Sequence, residues 1–320
     1  MHIYINPSIN PAFNLALEEY ALTSLRQPLI ILWQNHDAVI IGRNQNTWAE
    51  VNLSYAFANN IEIARRFTGG GAVFHDLGNI NYTLVQAGKL KNEDFNQPLC
   101  AYLRGLGLQV EAEGRNDLLL DGCKFCGQAG ADKNGWSMQH GCILFNSDLT
   151  RLSRVLKPPP AKFTGKKVDS VTARVTNLAP FLQHPMDSQA FISGLADFFI
   201  KTMPGLNWWQ PSPEVLLAIE QLAASKYATW PWNFGYSPTA KRTISRKFPF
   251  GLVEIYMTVK KGIINDIAIF GDFFGDKSRL ENTLTGLRLE HDSINEALSK
   301  LELEQCIKGM NHKQLLSMLL

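Results

Sequence analysis

Residues 65–79 read Arg65-Arg66-Phe67-Thr68-Gly69-Gly70-Gly71-Ala72-Val73-Phe74-His75-Asp76-Leu77-Gly78-Asn79. An alternating apolar run leads into the two arginines, and a second apolar run follows the glycines. Three glycines between two predicted strands remove every Cβ from the bend and leave main-chain N–H groups accessible beside two cations. That combination suits an anionic ligand, either a phosphate or a carboxylate. The glycines alone would indicate only a hairpin with solvated arginines, but the flanking Arg-Arg and His-Asp pairs favour a site.

A second polar stretch follows further along the chain and reads Gly114-Arg115-Asn116-Asp117, then Asp121-Gly122-Cys123-Lys124-Phe125-Cys126-Gly127-Gln128-Ala129. Asn116 and Asp117 offer oxygen ligands of the kind that Mg²⁺ prefers. Lys124 begins a predicted strand between small residues, where a compact cation can face a phosphate or a developing negative charge. Alone, this pattern would indicate a hairpin with a surface lysine, and the arginine–glycine stretch upstream is what favours a functional role.

Composition excludes several classes of protein. The chain has 320 residues, of which 45% are apolar and 19% charged, and its net charge is +2. These values are ordinary for a globular protein of about two domains. The net charge lacks the strong basic bias that is typical of proteins with extended nucleic-acid binding. We find no apolar run long enough to span a bilayer and no signal-peptide pattern at the N-terminus. Five cysteines, few and odd in number, argue against a disulfide framework, so we expect a reducing cytoplasm.

The order of predicted elements indicates the fold class. Strands and helices are mixed without strict alternation, which predicts an α+β fold with a mixed sheet rather than a doubly wound one. Helical spacing predicts helices at about Pro11 to Ser24 and Trp48 to Asn59. The aromatic, proline-broken segment Trp230 to Pro238 is typical of a packed exit segment, so we place a domain boundary after it. We therefore expect a catalytic domain over residues 1–240 and a small α+β domain over 241–320.

Known nucleotide motifs are missing from the sequence, and other chemistry stays open. The chain contains neither a P-loop nor a dinucleotide-binding glycine pattern. Cys123 and Cys126, with His140 and Cys142, offer a zinc or redox alternative, but small buried thiols on adjacent strands are the preferred interpretation. Cys142 is also a candidate nucleophile for acyl transfer.

Two further side chains near these stretches admit a structural and a functional interpretation. His75, with Asp76 beside it, offers a general base, although we favour a role in supporting the glycine turn. Trp33 is either a pocket wall or an ordinary core residue.

Several motifs, in the same order along the chain, closely resemble those of the lipoate–protein ligase A family. Residues 65–79 resemble its signature, and the others are Leu32-Trp33-Gln34-Asn35, Ile41-Gly42-Arg43-Asn44-Gln45-Asn46, Gly114 to Leu118, Lys124 to Ala129, His140-Gly141 and Ser170 to Leu178. The specific motifs cover about the first 180 residues. The aromatic segment and the C-terminal hairpin with its helices are similar to the accessory domain of the two-domain form of this family.

The resemblance implies a reaction, a fold and a set of site residues. Lipoate, ATP and Mg²⁺ would give lipoyl-AMP, and the lipoyl group would pass to a lysine of an acceptor protein, on the large mixed-sheet fold shared with biotin–protein ligases and class II synthetases. Lys124 would act in both half-reactions, and Asp117 would help to hold Mg²⁺. A loop from Lys162 to Asp169 would close over the adenylate. The residues implied in binding ATP or the lipoyl-adenylate are Trp33, Arg66, Thr68, Gly71, Ala72, Val73, Phe74, Asn116 and Lys124, with the loop from Gly42 to Asn46 lining the pocket.

The resemblance also implies partners. The acceptors would be apo-lipoyl domains of 2-oxoacid dehydrogenase complexes and the glycine cleavage H protein, with no nucleic acid and no membrane involved, and we expect a monomer. Cys126, Gln128 and Cys142 depart from the usual family residues, which bears on acyl specificity. Two alternatives stay open: an ATP-independent octanoyl or lipoyl transferase that uses Cys142, and a non-catalytic lipoate- or nucleotide-binding protein.

Overall fold

The computed structural model describes residues 1–113, 117–156 and 175–320. Asn116 and the loop from Lys162 to Asp169, which carry sequence-based predictions, lie outside these residues. The described chain forms two compact units, one of Met1–Arg43 with Glu50–Thr229 and one of Asn44–Ala49 with Trp230–Leu320. The aromatic segment after Thr229 therefore packs with the smaller unit, ahead of the expected boundary. In the described part, every helix is too short or too polar to cross a membrane.

The strands, in chain order, are β1 (His2–Ile5), β2 (Leu29–Trp33), β3 (Ala38–Ile41), β4 (Glu62–Arg65), β5 (Val73–His75), β6 (Asn79–Ala87), β7 (Val110–Glu113), β8 (Asp117–Leu120), β9 (Cys123–Lys133), β10 (Trp136–Leu144), β11 (Asn207–Trp208), β12 (Ala240–Phe248), β13 (Gly251–Lys260) and β14 (Ile263–Gly271). The helices are α1 (Pro11–Tyr20), α2 (Thr47–Glu50), α3 (Leu53–Ala58), α4 (Asn92–Gly105), α5 (Leu149–Val155), α6 (Ser188–Thr202), α7 (Pro213–Leu222), α8 (Lys277–Leu284), α9 (His291–Ser299), α10 (Leu303–Cys306) and α11 (His312–Leu319).

The larger unit is built on an eight-stranded sheet of order β11-β1-β2-β6-β10-β9-β8-β7. β1 pairs in parallel with β2 and β11, whereas the other pairs are antiparallel. The sheet is therefore mixed, and the expectation of an α+β fold with a large mixed sheet is confirmed. A second, three-stranded sheet of order β4-β3-β5 belongs to the same unit.

One face of the large sheet packs against helices and forms the core of the larger unit. Tyr82 of β6 stacks on Phe95 of α4, with ring centroids 4.4 Å apart, and Phe199 of α6 lies beside the same ring at 5.6 Å. All three side chains are fully buried. The opposite face carries a row of directly paired residues, which are Asp117, Gly127, Cys142, Asn81 and Trp33. Because paired residues share a face of a sheet, this row presents its side chains together.

One prediction about the elements is wrong, and one strand was not predicted. The region from Trp48 to Asn59 forms two short helices rather than one, because the Asn52 side chain accepts a hydrogen bond from the Tyr55 N–H and begins a new helix. Strand β12, which pairs with β13, was not predicted from the sequence. The charged residues of β12 give it no clear alternation of apolar and polar side chains. This is common for an edge strand, and β12 lies at the edge of its sheet.

The smaller unit consists of the aromatic segment after Thr229, the sheet β12-β13-β14 and helices α8 to α11, together with the short segment Asn44–Ala49. Alternate residues of β13, from Val253 to Val259, are buried. This alternation is the pattern of a sheet with one covered face.

Candidate active site

The glycine turn is shaped by the buried guanidinium of Arg66. Its Nη2 donates to the carbonyls of Gly69 (2.6 Å) and Gly71 (2.8 Å), its Nη1 to the carbonyl of Ile40 (3.1 Å), and its Nε to Thr68 Oγ1 (3.1 Å). Gly70 adopts a φ of 93°, which favours glycine. These bonds consume most of the donors of one arginine, so Arg66 defines the path of the turn.

The main chain of the turn remains available to a ligand. The N–H groups of Gly70, Gly71 and Ala72 donate to no described residue. Burial lowers the pKa of Arg66 to about 10, against which the charges of Cys142 and Glu18 raise it, so the guanidinium stays charged at neutral pH. Consecutive main-chain N–H groups beside a buried cation form a site suited to an anion.

Gly42 and Arg65 also support the turn. A Cβ on Gly42 would lie 2.0 Å from the carbonyl oxygen of Gly70, so only glycine permits this approach. The fully buried Arg65 donates through Nη1 to the carbonyls of Gly42 (3.1 Å) and Arg43 (3.0 Å). The loop from Gly42 to Asn46 therefore contacts the turn. The residues of this loop are not among the described residues that line the cavity.

Lys124 reaches the same side of the large sheet through a β-bulge. Leu118 pairs with Cys126, whereas Leu119 pairs with Lys124, so Phe125 is the extra residue. Without this extra residue, Lys124 and Gly127 would point to opposite faces, because side chains alternate along a strand. Lys124 Nζ lies 2.8 Å from Asp117 Oδ1, and both side chains are 38% exposed. A Cβ on Gly127 would lie 2.9 Å from Nζ, so this glycine leaves the room that the lysine occupies.

A cavity of about 150 Å³ lies between the large sheet and the three-stranded sheet β4-β3-β5. Apolar side chains form part of its wall, and the glycine turn and polar side chains form the rest. The lining residues that matter for the chemistry are Leu15, Trp33, Ile40, Arg66, Gly70, Gly71, Ala72, Val73, His75, Asn81, Lys124, Gly127, Gln128, His140 and Cys142. The structure thus brings together the arginine–glycine stretch and Lys124, which are far apart in the sequence.

A buried polar network under the turn was not predicted. Glu18 of α1 is fully buried and lies 2.9 Å from His140 Nδ1, and His140 Nε2 lies 2.9 Å from Thr68 Oγ1. Thr83 donates to Glu18 (2.6 Å) and accepts from Trp33 Nε1 (2.9 Å). Glu18 follows the buried apolar residues of α1, and nothing in the local pattern marks a carboxylate there as buried. Thr68 itself supports the turn and does not line the cavity.

The other predicted site residues lie as follows. His75 lines the cavity, but its described side-chain hydrogen bond joins it to Asn35 rather than to the glycine turn. Asp76 accepts from the N–H groups of Gly78 and Asn79, so it supports the next turn. The Phe74 side chain is buried, with the Arg151 guanidinium 5.4 Å from its ring centre, and only Val73 and Ala72 of that run line the cavity.

The cysteines have different surroundings. Cys142 lines the cavity, and its thiol lies 3.6 Å from the carbonyl of Gly127. Burial, followed by the neighbouring Cys142, raises the pKa of the Cys126 thiol well above its usual range. Among the described residues, no group of three or more histidine, cysteine, aspartate or glutamate side chains is placed to hold a metal ion.

Two family models match the sequence. The lipoyl protein ligase A/B catalytic domain matches residues 10–200, and the bacterial lipoate protein ligase C-terminus matches residues 237–319. Lipoate–protein ligase 1 of Staphylococcus aureus is 35% identical over 325 residues, which cover 98% of each chain. Together the two models span most of the described chain.

Solved structures are also similar. A Thermoplasma acidophilum lipoate protein ligase, described with its E2 lipoyl domain, is 30% identical with a TM-score of 0.61, covering 72% of this chain and 94% of that one. A T. acidophilum structure with bound lipoic acid is 28% identical with a TM-score of 0.62, covering 72% and 96%. A lipoate-protein ligase A bound with ATP is 29% identical with a TM-score of 0.60, covering 72% and 96%.

Proposed function

The chain belongs to the lipoate–protein ligase family, and we propose how its cavity serves the two half-reactions. The enzyme activates lipoate with ATP as lipoyl-AMP and then transfers the lipoyl group to a lysine of a lipoyl-domain protein. Neither the ATP-independent transferase nor the non-catalytic binding protein is favoured by the relatives that the chain matches.

One observation carries the assignment of the site. Gly70, Gly71 and Ala72, whose N–H groups donate to no described residue, line one cavity together with Lys124. The same cavity has an apolar wall of Leu15, Trp33 and Ile40. An acyl chain with an anionic head needs both kinds of surface. The apolar wall would take the aliphatic part of lipoate, and the turn and Lys124 would take the charged end.

In the first half-reaction, a carboxylate oxygen of lipoate attacks the α-phosphorus of ATP, and pyrophosphate leaves. The turn supplies fixed N–H donors to the phosphate oxygens, whose charge rises as the new bond forms. Lys124 exchanges its partner Asp117 for the reacting phosphate. An ion pair that is 38% exposed is weak, so this exchange of partners is easy.

In the second half-reaction, the acceptor lysine amine attacks the acyl carbon, and AMP leaves. Negative charge then develops on the carbonyl oxygen and on the departing phosphate. Lys124 would donate to both, because its flexible stem carries three donors at one point charge. This role requires that Lys124 stay on the cavity side of the sheet, which the bulge at Phe125 ensures.

Magnesium fits the residues that are present. Asp117 supplies a carboxylate oxygen beside the cavity, and Mg²⁺ typically binds one or two carboxylates together with substrate phosphates. The ion would neutralise charge on the departing pyrophosphate. Asn116, the second expected ligand, lies outside the described residues.

For acceptors we propose the lipoyl domains of 2-oxoacid dehydrogenase complexes and the glycine cleavage H protein. The T. acidophilum relative, described with its E2 lipoyl domain, supports this class of partner. We further propose that the enzyme acts as a monomer in the reducing cytoplasm, in keeping with its five unpaired cysteines.

The test is exchange of labelled pyrophosphate into ATP by the purified chain. We expect exchange that requires lipoate and Mg²⁺, and single-turnover transfer of the lipoyl group to an apo-lipoyl domain. A purified, folded chain that shows no lipoate-dependent exchange would contradict the proposed adenylation. Exchange without transfer would contradict only the choice of acceptor.

A further inference from the structure

One buried side chain of the cavity wall, His75, has a ring nitrogen without a partner among the described residues. His75 is 3% exposed, lines the cavity, and has an Nε2 atom that makes no hydrogen bond to any described residue. Unsatisfied buried donors are rare in native proteins, since each one destabilises the folded state by about 1–3 kcal/mol. Here a ligand is the natural source of the missing acceptor. Asn81, also 3% exposed, lines the same cavity with an amide nitrogen in the same situation.

A chain of amides decides which nitrogen of His75 carries the proton. Asn14 Nδ2 donates to the carbonyls of Ser8 (3.0 Å) and Gln34 (2.7 Å), which fixes the orientation of this amide. The two hydrogens of this nitrogen are shared among three acceptors, the third being Asn35 Oδ1 at 2.8 Å, so Asn35 turns its own nitrogen toward His75 Nδ1, at 3.0 Å. Because an amide nitrogen only donates, Nδ1 accepts and the ring proton sits on Nε2.

The imidazole is also neutral. Burial, followed by the neighbouring Arg66 and His140, lowers the pKa of His75 to about 3. A neutral ring whose Nδ1 already accepts from Asn35 has no site for another proton at neutral pH. His75 therefore cannot serve as the general base that the adjacent Asp76 suggested. Its Nε2–H remains available to donate a hydrogen bond.

We propose that His75 is a substrate-binding residue of this site, whose Nε2–H donates a hydrogen bond to an oxygen of the activated acid. The inference rests on the adenylate site proposed above. The aliphatic and dithiolane parts of lipoate carry no oxygen or nitrogen, so the acceptor is a carbonyl or phosphate oxygen at the acyl–phosphate junction. Asn35 is the positioning residue that keeps the proton on Nε2.

Two variants separate this role from a structural one. His75→Asn keeps an acceptor near the position of Nδ1 and removes the Nε2 donor. His75→Gln places an amide nitrogen near the position of Nε2. The probe is a non-hydrolysable lipoyl-sulfamoyl-adenosine, with its Kd measured by calorimetry and lipoate-dependent exchange measured in parallel.

We expect His75→Asn to weaken binding by roughly 10- to 100-fold, the effect of losing one hydrogen bond to a charged group. His75→Gln should retain affinity within about fivefold, because its amide replaces the lost donor. A purely structural His75 would give the opposite order, since only asparagine keeps the bond to Asn35, and wild-type affinity in both variants would also overturn the proposal.

A measurement on the unmodified chain keeps the test independent of variant folding. In ¹⁵N-histidine-labelled protein, the His75 resonances should show the neutral Nε2–H form throughout pH 5–8, and the Nε2–H signal should shift when the analogue binds. An Nδ1–H form, a titration in that range or an unmoved signal would refute the assignment. If the wild-type chain neither exchanges pyrophosphate nor binds the analogue, the proposed function fails instead.

Discussion

Arg66 and Lys124, two cations among the described residues that line the cavity, are held in opposite ways. Arg66 is 6% exposed, and its guanidinium binds three main-chain carbonyls and one hydroxyl. The Lys124 side chain is 38% exposed and has one described ion-pair partner, Asp117. The arginine is thus part of the scaffold, whereas the lysine can change partner during the reaction. The difference shows that a positive charge at a site can serve shape or chemistry, and that burial and bond count distinguish the two.

The largest expected effect comes from Lys124→Ala. We expect pyrophosphate exchange to fall by about 10³-fold or more, because one preorganised cation at a developing charge contributes on that scale. The melting temperature should stay within about 2 °C, since a half-exposed ion pair contributes little to stability. Exchange assays and thermal unfolding of the same preparation measure both effects.

Lys133→Ala is the matched control, because Lys133 is an exposed lysine on the same strand, β9. It should leave both exchange and the melting temperature unchanged. Near wild-type exchange by Lys124→Ala would remove the chemical role from Lys124 and with it the contrast between the two cations.

Arg66→Lys should give the reverse pattern, with stability lost along with activity. A lysine keeps the charge but cannot reach the carbonyls of Ile40, Gly69 and Gly71 together, so buried acceptors lose their donors. We expect the free energy of unfolding to fall by about 3 kcal/mol, as measured by urea denaturation followed by tryptophan fluorescence. Unchanged stability together with lost exchange would mean that Arg66 acts on the ligand rather than on the turn.

Local sequence marked both Arg66 and Lys124 as candidate site residues, but it did not show how Lys124 is placed. The glycine turn and Arg66 are close along the chain, so their composition alone indicated an anion site. The place of Lys124 depends on the bulge at Phe125, which arises from pairing between β8 and β9 and leaves no local signal. Glu18 was missed for the same reason, since its partners His140 and Thr83 come from other elements. Strand β12 was not predicted because of its many charged residues, whereas its partner β13 was predicted from its alternating apolar residues.

Gly42→Ala should perturb the scaffold to an intermediate degree. The added Cβ would meet the carbonyl oxygen of Gly70 at 2.0 Å, so the turn must shift and its N–H groups must leave their positions. We expect a destabilisation of about 1–3 kcal/mol, typical of overpacking, and a fall in exchange of roughly tenfold.

Gly105→Ala is the matched control for this change, because a Cβ at Gly105, the last residue of α4, meets no atom of the described residues within 4 Å. This variant should be neutral or stabilised by up to about 1 kcal/mol, as expected of alanine in a helix. Equal stability and equal exchange in the two alanine variants would show that the turn tolerates displacement. The contacts of the turn would then not be needed to hold the site in shape.

Cys142→Ser should have the smallest effect, and it tests whether a third group shares the chemistry of the two cations. Cys142 lies on the sheet row between Gly127 and Asn81, and its thiol lies 3.6 Å from the Gly127 carbonyl, to which a serine hydroxyl can also donate. If the acyl group travels only as an adenylate, exchange and transfer should stay within about threefold of wild type, because no bond to sulfur forms. A route through a thioester at Cys142 would instead leave exchange intact and abolish transfer, because hydroxyl oxygen is a far weaker nucleophile than a thiolate. Measuring the two half-reactions separately therefore distinguishes the mechanisms even when overall lipoylation falls.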